Sequence, residues 1–145
     1  MIKTNKFIDT QINQDGILTI PNLHDAELLS LQINKGPEAQ VLKVNLITEN
    51  SKSFQLIFHD IIHLNASNFN CQNIVNGIIL LKGIDLTNRK NELIELFPFL
   101  TNQKILNKVL DNIKDNQNLF IEVSSSVGCR ISCICKSLSI LEVQA

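Results

Sequence analysis

The sequence predicts an α+β protein, in which an antiparallel sheet of about six to eight strands, built from hairpins, carries one or two amphipathic helices on one face. Two stretches, residues 41–58 and 119–143, alternate apolar and polar residues with the period of a strand. Between them, residues 105–113 place apolar side chains at helical spacing. At 145 residues the chain fits one domain, residues 1–145, with a substantial core.

The central hairpin, residues 41–58, is the strongest structural prediction. Its two strands bring six apolar side chains to one face if the turn consists of Glu49, Asn50 and Ser51. The predicted cross-strand pairs are Leu46–Phe54, Val44–Leu56 and Leu42–Phe58. A slip of one residue would turn one strand's apolar side chains to the opposite face, so this register is strongly specified.

The flanking segments give weaker strand signals. Residues 7–20 predict a hairpin that turns at Asp15-Gly16, and residues 28–33 alternate like a strand. Residues 65–76 are polar enough to predict a loop. A short apolar run at residues 78–81 suits a buried strand.

Two helices are predicted next. The first spans residues 85–97 and ends before Pro98, because proline restricts the residue that precedes it. The second begins after Thr101, which we expect to cap it. Its apolar stripe needs a surface to lie on, and the sheet provides one. The stripe consists of Ile105, Leu106, Val109, Leu110 and Ile113.

A second hairpin, residues 119–134, turns at residues 126–128 and is followed by a strand at residues 137–143. Its predicted cross-strand pairs are Val123–Ile131, Ile121–Cys133 and Leu119–Cys135. We expect Arg130 and Glu122 to form a diagonal ion pair on its outer face.

Four cysteines stand at positions 71, 129, 133 and 135. Their spacing does not match the paired cysteines of a zinc knuckle, so we predict core packing and no metal. No glycine-rich loop or dinucleotide fingerprint is present, and no cofactor is expected.

Charge and composition narrow the range of partners. The formal net charge is −1, and the lysines and arginines are dispersed. That balance argues against a nucleic-acid groove or a polybasic membrane contact. The sequence has no signal-like or bilayer-spanning apolar run, so we expect a cytoplasmic protein with reduced thiols.

The histidines raise the question of catalysis. His59-Asp60-Ile61-Ile62-His63 has the spacing of a helical zinc motif, but Asp60 replaces its glutamate. The segment follows a strand, where residues four apart are separated by roughly 13 Å. A shared metal is therefore not predicted. The alternative is a small hydrolase or metal-dependent enzyme that uses His24, His59, Asp60 and His63.

The stretch Leu23-His24-Asp25-Ala26-Glu27-Leu28 resembles one found in small bacterial immunity proteins of polymorphic toxin systems, where it leads into the first core strand. A looser similarity of pattern covers residues 21–81. The resemblance implies a compact cytoplasmic α+β protein that neutralises a cognate toxin by binding it. The chain departs from this group in lacking Trp, Tyr and a marked acidic charge.

We therefore predict a non-enzymatic protein-binding module, an immunity protein with a toxin as its partner. A structural or assembly component is a further alternative, and monomer and homodimer remain open. We expect His59 and Asp60 at a strand end near His24 and Asp25. The candidate binding residues are His24, Asp25, His59, Asp60 and His63.

Overall fold

The strands and helices were located in a computed structural model, which describes residues 5–37 and 39–144. The strands are β1 (Lys6–Phe7), β2 (Gln11–Ile12), β3 (Leu18–Ile20), β4 (Glu27–Lys35), β5 (Gln40–Ile47), β6 (Ser53–His59), β7 (His63–Ser67), β8 (Ile74–Leu81), β9 (Leu119–Val127), β10 (Arg130–Cys135) and β11 (Ser137–Val143). The α-helices are α1 (Lys90–Leu96) and α2 (Gln103–Lys114). Short 3-10 turns at Thr87–Arg89 and Pro98–Thr101 precede them.

The predicted fold class is confirmed, with more strands than expected. The described residues form a nine-stranded sheet in the order β1-β11-β6-β5-β4-β8-β9-β10-β7, and β2 pairs with β3 in a second, two-stranded sheet. All pairings are antiparallel. Both predicted hairpin registers are confirmed, including Leu46 opposite Phe54 and Cys133 opposite Ile121.

The nine-stranded sheet closes on itself through two bent strands. β6 passes into β7 through residues 60–62, and β10 passes into β11 through Lys136. The two bent strands pair along their length, β6 with β11 and β7 with β10. Because β6 also pairs with β5 and β10 with β9, the ladder continues through β4 and β8 and returns to its start.

The closed ring encloses the main core. Alternate side chains from every strand of the ring point inward and pack together, which removes apolar area from water at about 25 cal/mol per Å². The largest fully buried members contributed by these strands are Phe58, Leu28, Leu42, Leu46, Leu56 and Ile78. Leu18 and Leu23, from the segment before β4, are buried in the same core.

The helices form an outer layer on one side of the ring. Leu106, Val109 and Ile113 of α2 are buried against Phe120 and Ile134, whose side chains point outward from β9 and β10. The prediction of amphipathic helices on one face is thus confirmed. No helix among the described residues is both long and apolar enough to cross a bilayer.

Several local predictions were wrong. The predicted loop at residues 65–76 contains the end of β7 and the start of β8. The first helix begins only at Lys90, after a 3-10 turn. Asn102, not Thr101, caps α2, because its side chain accepts hydrogen bonds from the backbone N–H groups of Lys104 and Ile105.

The N-terminal segment also differs from its prediction. The turn at Asp15-Gly16 is present and joins β2 to β3, but β1 pairs with β11 instead of joining this hairpin. In β4, the register shifts between Leu28 and Ser30. Leu29 is the extra residue of this bulge, and its side chain is exposed.

Candidate functional site

A groove of about 560 Å³ lies between α2 and the bend that joins β10 to β11. Residues from four parts of the fold meet there: the β6–β7 connection, the start of β7, α2 with the turn after it, and the strand bend. Its lining residues are Ile62, His63, Ile105, Lys108, Val109, Asn112, Gln117, Asn118 and Lys136.

The apolar part of the groove follows from how α2 packs. The helix buries Leu106 and Val109 against the sheet, and this leaves Ile105, one position before Leu106, partly exposed at the rim. Across the groove, Ile62 is exposed in the connection between β6 and β7. Exposed apolar side chains that converge on a concavity are typical of a binding surface.

Aromatic contacts extend this apolar surface beyond the groove. The His63 ring lies 4.7 Å from the Phe99 ring and 5.7 Å from the Phe97 ring, measured between centroids. Phe97 is buried, whereas Phe99 is exposed. Burial lowers the pKa of His63, which favours the neutral imidazole at pH 7.

The polar part of the groove is cationic and rich in amides. Lys108 and Lys136 are its charged lining residues, and none of the described residues that line it is acidic. Asn118, whose side chain ends in an amide, also lines the groove and is only 5% exposed. Amide groups can both donate and accept hydrogen bonds. The groove therefore suits a ligand with apolar and anionic parts.

His24 and Asp25 lie elsewhere, at the turn that leads into β4. The Nδ1 atom of His24 is 3.0 Å from Oδ2 of Asp25, and both side chains are about half exposed. Asp25 adopts a left-handed backbone conformation with φ of 65°, and its N–H donates to the Val75 carbonyl.

The other predicted residues, His59 and Asp60, lie at the opposite end of β6 from His24. His24 lines a cavity with Thr48 and Lys52, beside the β5–β6 turn where β6 begins. His59 is the last residue of β6, and its Nε2 atom lies 2.9 Å from Oγ of Ser139. Asp60 follows it with φ of 54°. The expectation that His59 and Asp60 lie near His24 and Asp25 was therefore wrong.

This separation also affects the enzymatic alternative. Because His24 and His59 lie at opposite ends of a seven-residue strand, the four residues named for a hydrolase do not form one site. Within residues 5–37 and 39–144, no three His, Cys, Asp or Glu side chains are grouped as metal ligands would be.

The cysteines divide into two groups. Cys129, Cys133 and Cys135 are buried in the core of the ring, as predicted, whereas Cys71 is exposed. A hydrogen bond with Cys135, together with burial, raises the pKa of the Cys133 thiol. Burial also raises the pKa of the Cys129 thiol. These two thiols are thereby kept protonated and weakly nucleophilic.

The predicted ion pair between Arg130 and Glu122 was wrong. Glu122 instead lies 3.7 Å from Arg89, which also makes a bidentate contact with Glu92. Arg89 further lies 5.6 Å from the centre of the Phe120 ring. These contacts connect the start of α1 to the sheet, a long-range arrangement that strand register alone does not reveal.

No protein-family model matches this chain, and neither do any curated protein or solved structure. Sequence reasoning identified His63 but missed its neighbours in the groove, among them Lys108, Lys136 and Asn118. The sequence feature that indicates the groove is the width of the apolar stripe on α2. Ile105 belongs to this stripe but lies beyond the three α2 positions that the sheet buries.

Proposed function

We propose that this protein is a non-enzymatic binding module that captures an acidic and apolar segment of a partner protein, and that the partner is a toxin neutralised by this contact. The observation that supports it is the groove, where the exposed side chains of Ile62 and Ile105 lie with two lysines. Apolar contact would supply affinity, and Lys108 and Lys136 would select an anionic partner.

A protein ligand fits better than a small molecule because the apolar surface extends past the groove. Phe99 is exposed next to His63, outside the lining residues. A partner could place one apolar side chain between Ile62 and Ile105 while its neighbouring residues cover Phe99. An acidic residue of the same segment would then lie near Lys108 or Lys136, and the amide of Asn118 could bond its backbone.

The class of partner rests on the sequence resemblance. Leu23-His24-Asp25-Ala26-Glu27-Leu28 is the stretch that resembles immunity proteins, and its last two residues are the first two of β4. This stretch lies apart from the groove, so it bears on the kind of partner and not on the contact surface. His24 and Asp25 remain a second candidate contact, since both are exposed.

The test is the affinity for the protein encoded beside this one, measured by isothermal titration calorimetry. Ile105→Asp should weaken binding at least about tenfold, because it places a carboxylate on the apolar rim. Ile84→Asp is the matched control, since Ile84 is 42% exposed, Ile105 is 40% exposed, and Ile84 does not line the groove. The control should change the affinity by less than about twofold.

The positive charge of the groove allows a second test of the proposal. Lys108→Glu should slow association and weaken its dependence on salt, whereas Lys90→Glu, at the exposed start of α1 and outside the groove, should leave both unchanged. Equal effects of groove and control variants would contradict the groove as the contact surface. No binding to any product of a neighbouring gene would contradict the toxin assignment.

A further inference from the structure

The second edge of β4 is largely unpaired. One edge of this strand pairs with β5 from Glu27 to Lys35. On its other edge, the register with β8 contains only Glu27 opposite Ile74 among the described residues. The two strands run antiparallel and overlap only near their beginnings, so the rest of β4 continues past the start of β8.

The hydrogen-bonding pattern of β4 shows which of its backbone groups are free. The N–H of Leu28 donates to the Asn73 carbonyl, so this residue bonds toward β8 and not toward β5. In β5, odd-numbered residues bond toward β4, because Thr48 at its end bonds toward β6 through the Lys52 carbonyl. Their partners Ser30, Gln32 and Asn34 therefore use their backbone groups within the sheet.

The intervening residues, Leu31, Ile33 and Lys35, consequently direct their N–H and C=O groups to the open edge. No described residue pairs with these groups. Every residue from Gln32 to Lys35 is exposed, Ile33 among them at 49%. Natural sheets usually protect such an edge with a charge, a proline or a covering element. Here the one charge among the open-edge residues is Lys35 at the end of β4, and residues 30–34 contain neither a charge nor a proline.

We propose that this edge pairs with β4 of a second copy of the chain, antiparallel about a two-fold axis at Ile33. This inference does not depend on the proposed function. In this register Ile33 faces its own copy, and Leu31 faces Lys35 of the copy, whose aliphatic stem can cover it. On the other face of the strand Gln32 meets Asn34. The pairing satisfies all six free backbone groups of each chain and opposes no like charges, and this self-complementarity favours a second copy over a foreign strand.

The test is the mass of the full chain in solution, measured by sedimentation from about 10 µM to about 1 mM, the range suited to a contact smaller than a standard interface. The wild-type chain should convert from monomer to dimer. Ile33→Lys and Ile33→Glu should each raise the dimer dissociation constant at least about tenfold, because like charges then meet at the axis. An equal mixture of the two variants should dimerise again, which also shows that both are folded.

Leu29→Lys is the matched control, since Leu29 is 50% exposed but lies in the bulge, outside the outward register. It should dimerise like the wild type, as should Ile105→Asp, which alters the groove. A wild-type chain that stays monomeric throughout the range overturns the proposal. So does a mixture of the Lys and Glu variants that fails to dimerise, or a Leu29→Lys variant as impaired as Ile33→Lys.

Discussion

Asn73 and Cys129 are joined by a buried hydrogen bond, in which the Cys129 N–H donates to Oδ1 of Asn73 over 2.9 Å. The same oxygen accepts the N–H of Asn70, and the Nδ2 group donates to the Asn70 carbonyl. Nδ2 also lies 3.5 Å from the Leu28 carbonyl. One side chain thus connects the loop before β8 with the β9–β10 turn and with β4.

We expect Asn73→Ala to lower the free energy of unfolding by about 2–4 kcal/mol, because a buried N–H and other polar groups lose their partner. Urea unfolding with an unchanged m-value would measure it. Asn70→Ala is the control, since it removes only a local bond to the exposed Cys71 and should cost less than about 1 kcal/mol. A loss for Asn73→Ala as small as that of the control would contradict this role.

Gly128 at the same turn should not tolerate a side chain. Its φ is +81°, and an added Cβ would meet the Asn73 side chain and the Gln72 carbonyl at 2.4 Å. Gly128→Ala should therefore destabilise the protein by at least ~2 kcal/mol. At Gly77 the nearest atom to an added Cβ is Oγ of Ser124 at 3.8 Å, so Gly77→Ala should be neutral or stabilise by up to ~1 kcal/mol. Thermal melts of both variants would show whether this order holds.

Two neighbouring residues, Thr101 and Asn102, can be compared directly as the N-cap of α2. Asn102→Ala should cost about 1 kcal/mol, because the first turn loses the acceptor for the N–H groups of Lys104 and Ile105. Thr101→Ala should change the stability by less than about 0.5 kcal/mol, since Thr101 is exposed in the preceding 3-10 turn. Chemical unfolding of the two variants would decide between them, and a larger loss at Thr101 would reassign the cap.

His63 should make stability depend on pH. Burial lowers its pKa in the folded protein below the value of about 6.5 that it has when unfolded. As the pH falls below 6.5, the unfolded chain takes up a proton at His63 that the folded chain resists, so stability decreases until the folded form is protonated as well. Above pH 6.5 neither form is protonated, and the contribution vanishes.

We therefore expect His63→Gln to reduce the slope of stability against pH just below 6.5, as followed by melting temperature in a series of buffers. Gln117→Ala, which alters the lining of the same groove without a titratable group, is the control and should retain the wild-type slope. If both variants show the same slope as the wild type, His63 does not carry this dependence.

The local parts of the fold were predictable from the sequence, and the long-range parts were not. Leu46 and Phe54 could be paired because a short turn and a period of two leave one register that buries both. The bend at Asp60 was not predictable, because no proline or glycine marks it and its left-handed φ depends on the strands around it. The pairing of the two strands that bend at Asp60 and Lys136 was not predictable either, because it joins segments far apart in the sequence. The closure of the ring followed from those bends.

The candidate site was less predictable for the same reason. His59 and His63 are close in sequence and have the spacing of a metal-binding pair. Their surroundings come from distant segments: Ser139 from β11 contacts His59, and Phe99 contacts His63. A pattern of single residues cannot show which distant side chains meet. The groove exists only because α2 packs on the sheet, so the sequence alone does not reveal it.

The short overlap between β4 and β8 has a consequence for how the chain folds. The other ladders of the ring are long, including that between β8 and β9, whose strands are also far apart in the sequence, whereas this seam joins β4 to β8 through only three backbone bonds around Val75 and Asn73. Closing so long a loop costs entropy before many contacts compensate for it. The seam should therefore form late in folding, and in native-state hydrogen exchange the Val75 amide should exchange faster than those of the central hairpin.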